Sequence, residues 1–106
     1  MKIRYHKDDV SVEMAVKNGR VWLTQKDMAK LLAIGINKVG DMINEHLSLG
    51  NITDNDIIKK SVVQAVSCRR MMVEINYYNM NVVRNVVEDN ADISGFEEWL
   101  DKQSLQ

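Results

Sequence analysis

The chain has 106 residues, 45% of them hydrophobic and 27% charged, with a net charge of -1 and one cysteine. A chain of this size buries one modest core without metal or disulfide support. Cys68 alone rules out an intrachain disulfide, and no apolar run approaches the roughly 20 residues of a membrane-spanning helix. The opening residues, Met1 to Asp9, hold no apolar signal-peptide core, so the expected setting is the cytoplasm. The expected organisation is one domain over 1–106, with 103–106 frayed.

The near-zero net charge hides an asymmetry. Residues 1–84 carry thirteen Lys and Arg against nine Asp and Glu, a balance of +4, whereas residues 85–106 carry one against six, or -5. A basic body with an acidic tail is compatible with nucleic-acid contact by the body.

In chain order, Ser11 to Val16 alternates, with Val12, Met14 and Val16 on one face of an expected strand. Asn18-Gly19 is a two-residue hairpin signal, because both residues tolerate positive φ. Arg20 to Leu23 reads as the returning strand, with Trp22 a core or hairpin-face residue rather than a stacking platform. Thr24 then reads as the N-cap of a helix, with Asp27 as a short capping-box acid. From Thr24 to Leu47 the apolar positions Met28, Leu31, Leu32, Ile34, Val39, Met42 and Ile43 fit two helices packed on one core. Ala29 allows close approach, and Ala33-Ile34-Gly35 supplies the turn, with Gly35 expected at positive φ.

A turn-rich connector follows, with Gly50 at the helix end and Thr53 or Asp54 capping a short turn that carries Ile57 and Ile58. Ser61–Ser67 and Met71–Tyr77 are β-branched and alternate with period two, predicting a second hairpin turning at Cys68-Arg69-Arg70. One helix from Asn55 to Arg70 is the alternative. Asn79 is expected to cap a helix bearing Met80, Val82, Val83, Val86 and Val87, which Asp89 to Asp92 breaks. Ser94 is expected to cap a last helix, with Glu97 in the capping-box position and Phe96, Trp99 and Leu100 apolar.

The order hairpin, helix-turn-helix, hairpin wing, two helices predicts an α+β fold of winged helix-turn-helix type. Its second helix, about Ile36 to Leu47, is then the one that enters a major groove of double-stranded DNA. Asn37 and Asn44 suit an adenine edge, and Lys38 a phosphate or guanine. Lys26 and Lys30 suit the backbone, while Arg69 and Arg70 at the wing suit phosphates or a narrow minor groove. Ile36, Gly40 and Asp41 share that outward surface and add nothing to groove binding. Gly40 in particular is expected to make no contact.

Catalytic and metal chemistry has little support. His6 and His46 stand 40 residues apart, neither in ligand spacing, and His46 is expected partly exposed. Cys68 has arginine neighbours but no partner base. The scattered glycines form no phosphate loop. No enzyme activity, metal or cofactor is expected.

Val21-Trp-Leu-Thr-Gln25 running into Met28-Ala-Lys-Leu-Leu32 resembles the opening of the RhuM-like virulence proteins. Val73 to Val83 is similar to that family's strand-to-helix segment, and Phe96-Glu-Glu-Trp99 to a later helix. Phage antirepressor and KilA-type N-terminal domains share the same grammar. The resemblance implies a bacterial, mobile-element regulator with an N-terminal DNA-binding domain. The family pattern has Gly where Ala33 stands, and polar or basic residues at Ile36 and Asp41. The alternative function is an antirepressor-like protein-interaction module using Ile36 and the acidic helix with Trp99 and Leu100. A homodimer fits either reading, because paired half-sites improve affinity.

Overall fold

A computed structural model describes residues 1–87 and 93–105, the side chain of Val66 apart. Three antiparallel strands open the chain: β1 (Lys2–Lys7), β2 (Val10–Lys17) and β3 (Arg20–Thr24). Sequence pattern finds β2 and β3 but not β1, whose alternation rests on only Ile3 and Tyr5 between charged residues. The β1–β2 turn is Asp8-Asp9, with Asp8 at φ 53°. Asn18-Gly19 forms the expected tight turn, at φ 55° and 73°.

Strand β3 runs directly into α1 (Gln25–Leu32). Thr24 ends the strand and caps the helix, its hydroxyl accepting from Asp27 N at 3.2 Å and donating to Asp27 Oδ2 at 2.9 Å. The Asp27 carboxylate thus holds the cap hydroxyl in place. Helix α2 (Ile36–Leu49) follows and ends on Gly50 at φ 80°, as expected. The turn between the helices departs from expectation. Ala33, not Gly35, takes the left-handed conformation (φ 56°), and Gly35 sits at φ -66° as the N-cap of α2. Ala33 N donates to Lys30 O and Ile34 N to Ala29 O, a Schellman closure that needs its left-handed residue one step past the helix.

After one 3₁₀ turn over Asp54–Asp56, strands β4 (Ile57–Val66) and β5 (Arg69–Tyr78) form a long hairpin, not a helix. Each strand has ten residues, several more than the alternation suggested. Ile57 and Ile58 begin β4 rather than riding on the turn. Ser67 and Cys68 make the hairpin turn at φ 49° and 67°, so Arg69 and Arg70 belong to β5 and not to the turn. Helix α3 (Met80–Val87) starts at the expected cap, Asn79 Oδ1 accepting from Val82 N at 3.3 Å. The expected break at Asp89 to Asp92 lies outside the described residues.

Helix α4 (Ser94–Lys102) begins one residue earlier than expected, with Ile93 in the cap position. Glu97 does not serve as a capping-box acid. Its carboxylate accepts from Arg84 Nε at 3.0 Å and ties α4 to α3. Beyond α4 the chain turns back on the helix. Ser104 turns left-handed (φ 58°), Leu105 N donates to Leu100 O at 3.0 Å, and Leu105 packs against the core.

The architecture is α+β, with a five-stranded antiparallel sheet of order β1-β2-β3-β5-β4 and four helices among the described residues. Pairing fixes the faces. Tyr5, Val12, Met14, Val21, Leu23 and Tyr78 share the side buried with the helices, and Ala15, Trp22 and Tyr77 the other. Helix α3 carries the centre of the core, with Val82, Val83 and Val86 fully buried. Tyr5 holds α4 down, its ring centroid 5.0 Å from Phe96 and 5.1 Å from Trp99. Leu100 is buried in this layer, and Trp99 is half-buried against it.

Candidate nucleic-acid interface

Two packed helices and one ribbon hold the seven residues read as DNA contacts. Their core side is as expected: Met28, Leu32, Val39, Met42 and Ile43 are buried, with Ala29, Leu31 and Ile34 packed against them. Lys26 and Lys30 stand one turn apart on α1, both exposed. On α2, Asn37, Asp41 and Asn44 follow helical spacing along one exposed stripe, with Lys38 beside it. Ile36 is 45% exposed at the start of that helix. The first turn of α2 contains no acid, and its Gly35 cap provides no side-chain hydrogen bond. No side chain of the first turn therefore offsets the positive end of the helix dipole.

Gln25, which sequence reading passed over, joins the two helices. Its Nε2 donates to Ile36 O at 2.7 Å. A Cβ at position 40 would lie 2.7 Å from that same nitrogen. Gly40 therefore has a role after all: its missing side chain lets the Gln25 amide lie across the first turn of α2.

His46, expected partly exposed, is buried near the far end of α2. Its Nδ1 lies 3.0 Å from Asn51 Nδ2, and Asn51 O in turn accepts from Asn81 Nδ2 at 3.3 Å. These contacts give it a structural role between α2 and α3. Asp56 continues the network, accepting from Asn79 Nδ2 at 2.9 Å, Asn81 Nδ2 at 3.0 Å and Thr53 N at 3.1 Å. Burial by itself raises the Asp56 pKa. The hydrogen bonds from Asn79, Thr53 and Asn81, with the nearby Arg20 charge, outweigh it and hold the carboxyl below its usual range.

The β4–β5 ribbon is anchored to the rest of the sheet only at its base, where Tyr78 and Tyr77 pair with Leu23 and Thr24. From Tyr77 to Arg69 is eight residues, about 26 Å of extended chain. Beyond Val62 and Val73 its described side chains are exposed, Val63, Met71 and Met72 among them. Arg69 and Arg70 occupy successive positions next to the turn, so they point to opposite faces of the ribbon. Lys59 and Lys60 lie nearer the base, and Glu74 is the ribbon's only acid. Sequence reading missed these two lysines because their segment was split between strand and helix.

Helix α1 packs on α2 and also touches the sheet and the base of β5. Lys26 shares a shallow depression there with Glu74 and Asn76. The structure thus brings Lys26, Lys30, Asn37, Lys38 and Asn44 onto two adjoining helices and sets Arg69 and Arg70 at the end of the ribbon. Cys68 is exposed in the turn beside them. No family model, curated protein or solved structure matches this chain. Among the described residues no His, Cys, Asp and Glu cluster could hold a metal, and no helix is long and apolar enough to cross a membrane.

Proposed function

We propose that this chain is a duplex-DNA-binding module of winged helix-turn-helix type, with the β4–β5 ribbon as the wing. The observation that carries the reading is the ribbon itself. It reaches well past the core and ends in two exposed arginines on opposite faces, with no acid beyond Glu74. A two-stranded ribbon fits the roughly 12 Å width of a major groove. Arginines on both of its faces can hold phosphates on both groove walls. Helix α2, with its open N-terminus, Lys38, Asn37 and Asn44, supplies the second contact. Lys26 and Lys30 add backbone contacts from α1. The likeness of residues 21–32 to RhuM-like proteins supports the same reading and suggests a bacterial mobile-element regulator.

Asp41 on the α2 stripe repels phosphate, so binding rests on backbone charge more than on base readout. The test is duplex affinity of the Arg69→Ala/Arg70→Ala variant at low salt. Loss of about a hundredfold is expected if each arginine contributes roughly 1.4 kcal/mol. Unchanged affinity would remove the wing from the account.

A second reading, a protein-interaction module of antirepressor type, is favoured by the exposed apolar side chains Ile36, Val63 and Met72. It expects partner binding that survives high salt and is lost in Ile36→Asp.

A further inference from the structure

The helix-free face of the sheet carries features that duplex binding leaves unused. A depression of about 620 Å³ lies there between β2, β3 and the base of the ribbon. Sites for small ligands span roughly 300–1,000 Å³. Trp22 and Tyr77 contribute its aromatic wall, and Lys2, Lys17 and Lys60 its charge, with no carboxylate in the lining; Lys59 borders it too, but pairs with Asn76 and so turns its side chain to the other face. Lys2 is shared with Glu13 at 3.3 Å, and Arg4 binds the same carboxylate at 2.8 Å. Lys17 and Lys60 have no acidic partner among the described residues.

Trp22 adds an independent observation. The residue is 8% exposed, and its buried Nε1 has no hydrogen-bond acceptor. Buried indole N–H groups are normally paired. This chain leaves the donor unused beside a depression bordered by lysines, whose long stems can move aside.

Two unpaired ammonium groups, with Lys2 beside them, call for a ligand with more than one negative charge. A partly exposed Tyr77 ring and an unsatisfied N–H call for a flat group with acceptors on its edge. A nucleotide strand combines the two. In a duplex the base faces are covered by their stacked neighbours, whereas an unpaired strand presents them. We infer that this face binds single-stranded nucleic acid, one base lying on Tyr77 with an edge acceptor on Trp22 Nε1, and phosphates on Lys17 and Lys60. The site is separate from α1, α2 and the ribbon tip, and stands or falls independently of the duplex reading.

The test measures fluorescence anisotropy of labelled oligothymidylate and of a labelled duplex with the full chain. Lys17→Gln/Lys60→Gln and Tyr77→Leu should each weaken single-strand binding by about tenfold or more. Duplex affinity should stay within about twofold in the lysine variant. Arg69→Ala/Arg70→Ala should show the opposite pattern. If Tyr77→Leu proves unfolded by circular dichroism, the lysine variant still decides. Absence of oligothymidylate binding at low salt, or binding that the lysine variant leaves intact, overturns the proposal. So does displacement of the oligonucleotide by polyglutamate at equal charge concentration, which would make the site one for acidic peptides. Thymidine monophosphate binding as tightly as the oligonucleotide would overturn the strand and leave a free nucleotide.

Discussion

Replacing Ala33 with glycine should make the protein more stable, although it removes a methyl group and loosens the chain. Ala33 closes α1 at φ 56°, a conformation in which an L side chain crowds the following carbonyl. That crowding costs roughly 1–2 kcal/mol, and glycine escapes it. The added freedom of glycine in the unfolded chain returns about 0.4–1 kcal/mol of that gain. Ala33 is exposed, so no packing is lost. The net is a stabilisation of about 0.5–1 kcal/mol, or roughly 2–6 °C in Tm for a domain of this size. Urea and thermal denaturation followed by circular dichroism measure it, with Gly35→Ala as the paired control. Gly35 has ordinary φ and open space around a new Cβ. Its replacement should cost only the few tenths to about 1 kcal/mol that separate glycine from alanine at an N-cap. If Ala33→Gly destabilises while Gly35→Ala costs well over 1 kcal/mol, the left-handed residue is Gly35 and the Schellman closure at Ala33 is refuted.

Three further outcomes follow from the packing. Gly40→Ala should be nearly neutral in the native background, because its helix gain of about 1 kcal/mol is offset by displacing the Gln25 amide. In a Gln25→Ala background it should stabilise by most of that amount, and additivity between the two changes would contradict the contact. Asp56, with its pKa held below the usual range, contributes stability that is complete above the unfolded-state value of about 3.9 and is lost as pH falls through the folded value. Asp56→Asn should therefore flatten the acid limb of the stability curve below about pH 4, and an unchanged limb would refute the network. Tyr5→Ala should cost about 3–5 kcal/mol and expose α4 to proteolysis first, since Tyr5 carries its ring contacts to Phe96 and Trp99.

Local chemistry was the legible part of this fold. Asn18-Gly19, Thr24, Gly50 and Asn79 each announce a turn or cap through what their own atoms can do, and each stands where that chemistry implies. The helix core from Met28 to Ile43 was legible for the same reason, its spacing being a property of a few neighbouring residues. Strand β1 was hidden because two apolar residues are too few to establish a period. The turn at Ser67-Cys68 was hidden because neither residue commonly takes positive φ, and the left-handed Ala33 was displaced in the reading by a nearby glycine.

At the candidate site, the residue types were visible but their arrangement was not. The reach of the ribbon depends on the Ile57–Tyr78 register, which is a long-range property. The joining of Gln25 to Ile36 and the placing of Trp22 and Lys60 around one depression depend on it too, or on helix packing. His46 reads as partly exposed because its partner Asn51, and Asn81 that binds Asn51 in turn, come later in the chain.

The most direct test of the duplex-binding account is the salt dependence of affinity for random-sequence duplex. Lys26, Lys30, Lys38, Arg69 and Arg70 give five candidate phosphate contacts. Neutralising five phosphates predicts a slope of log K against log salt of about -4.5, a loss of about 500-fold between 50 and 200 mM. A slope near that value, falling by about two in Arg69→Ala/Arg70→Ala, is the expected result. No binding at low ionic strength, or a slope near zero, would contradict it.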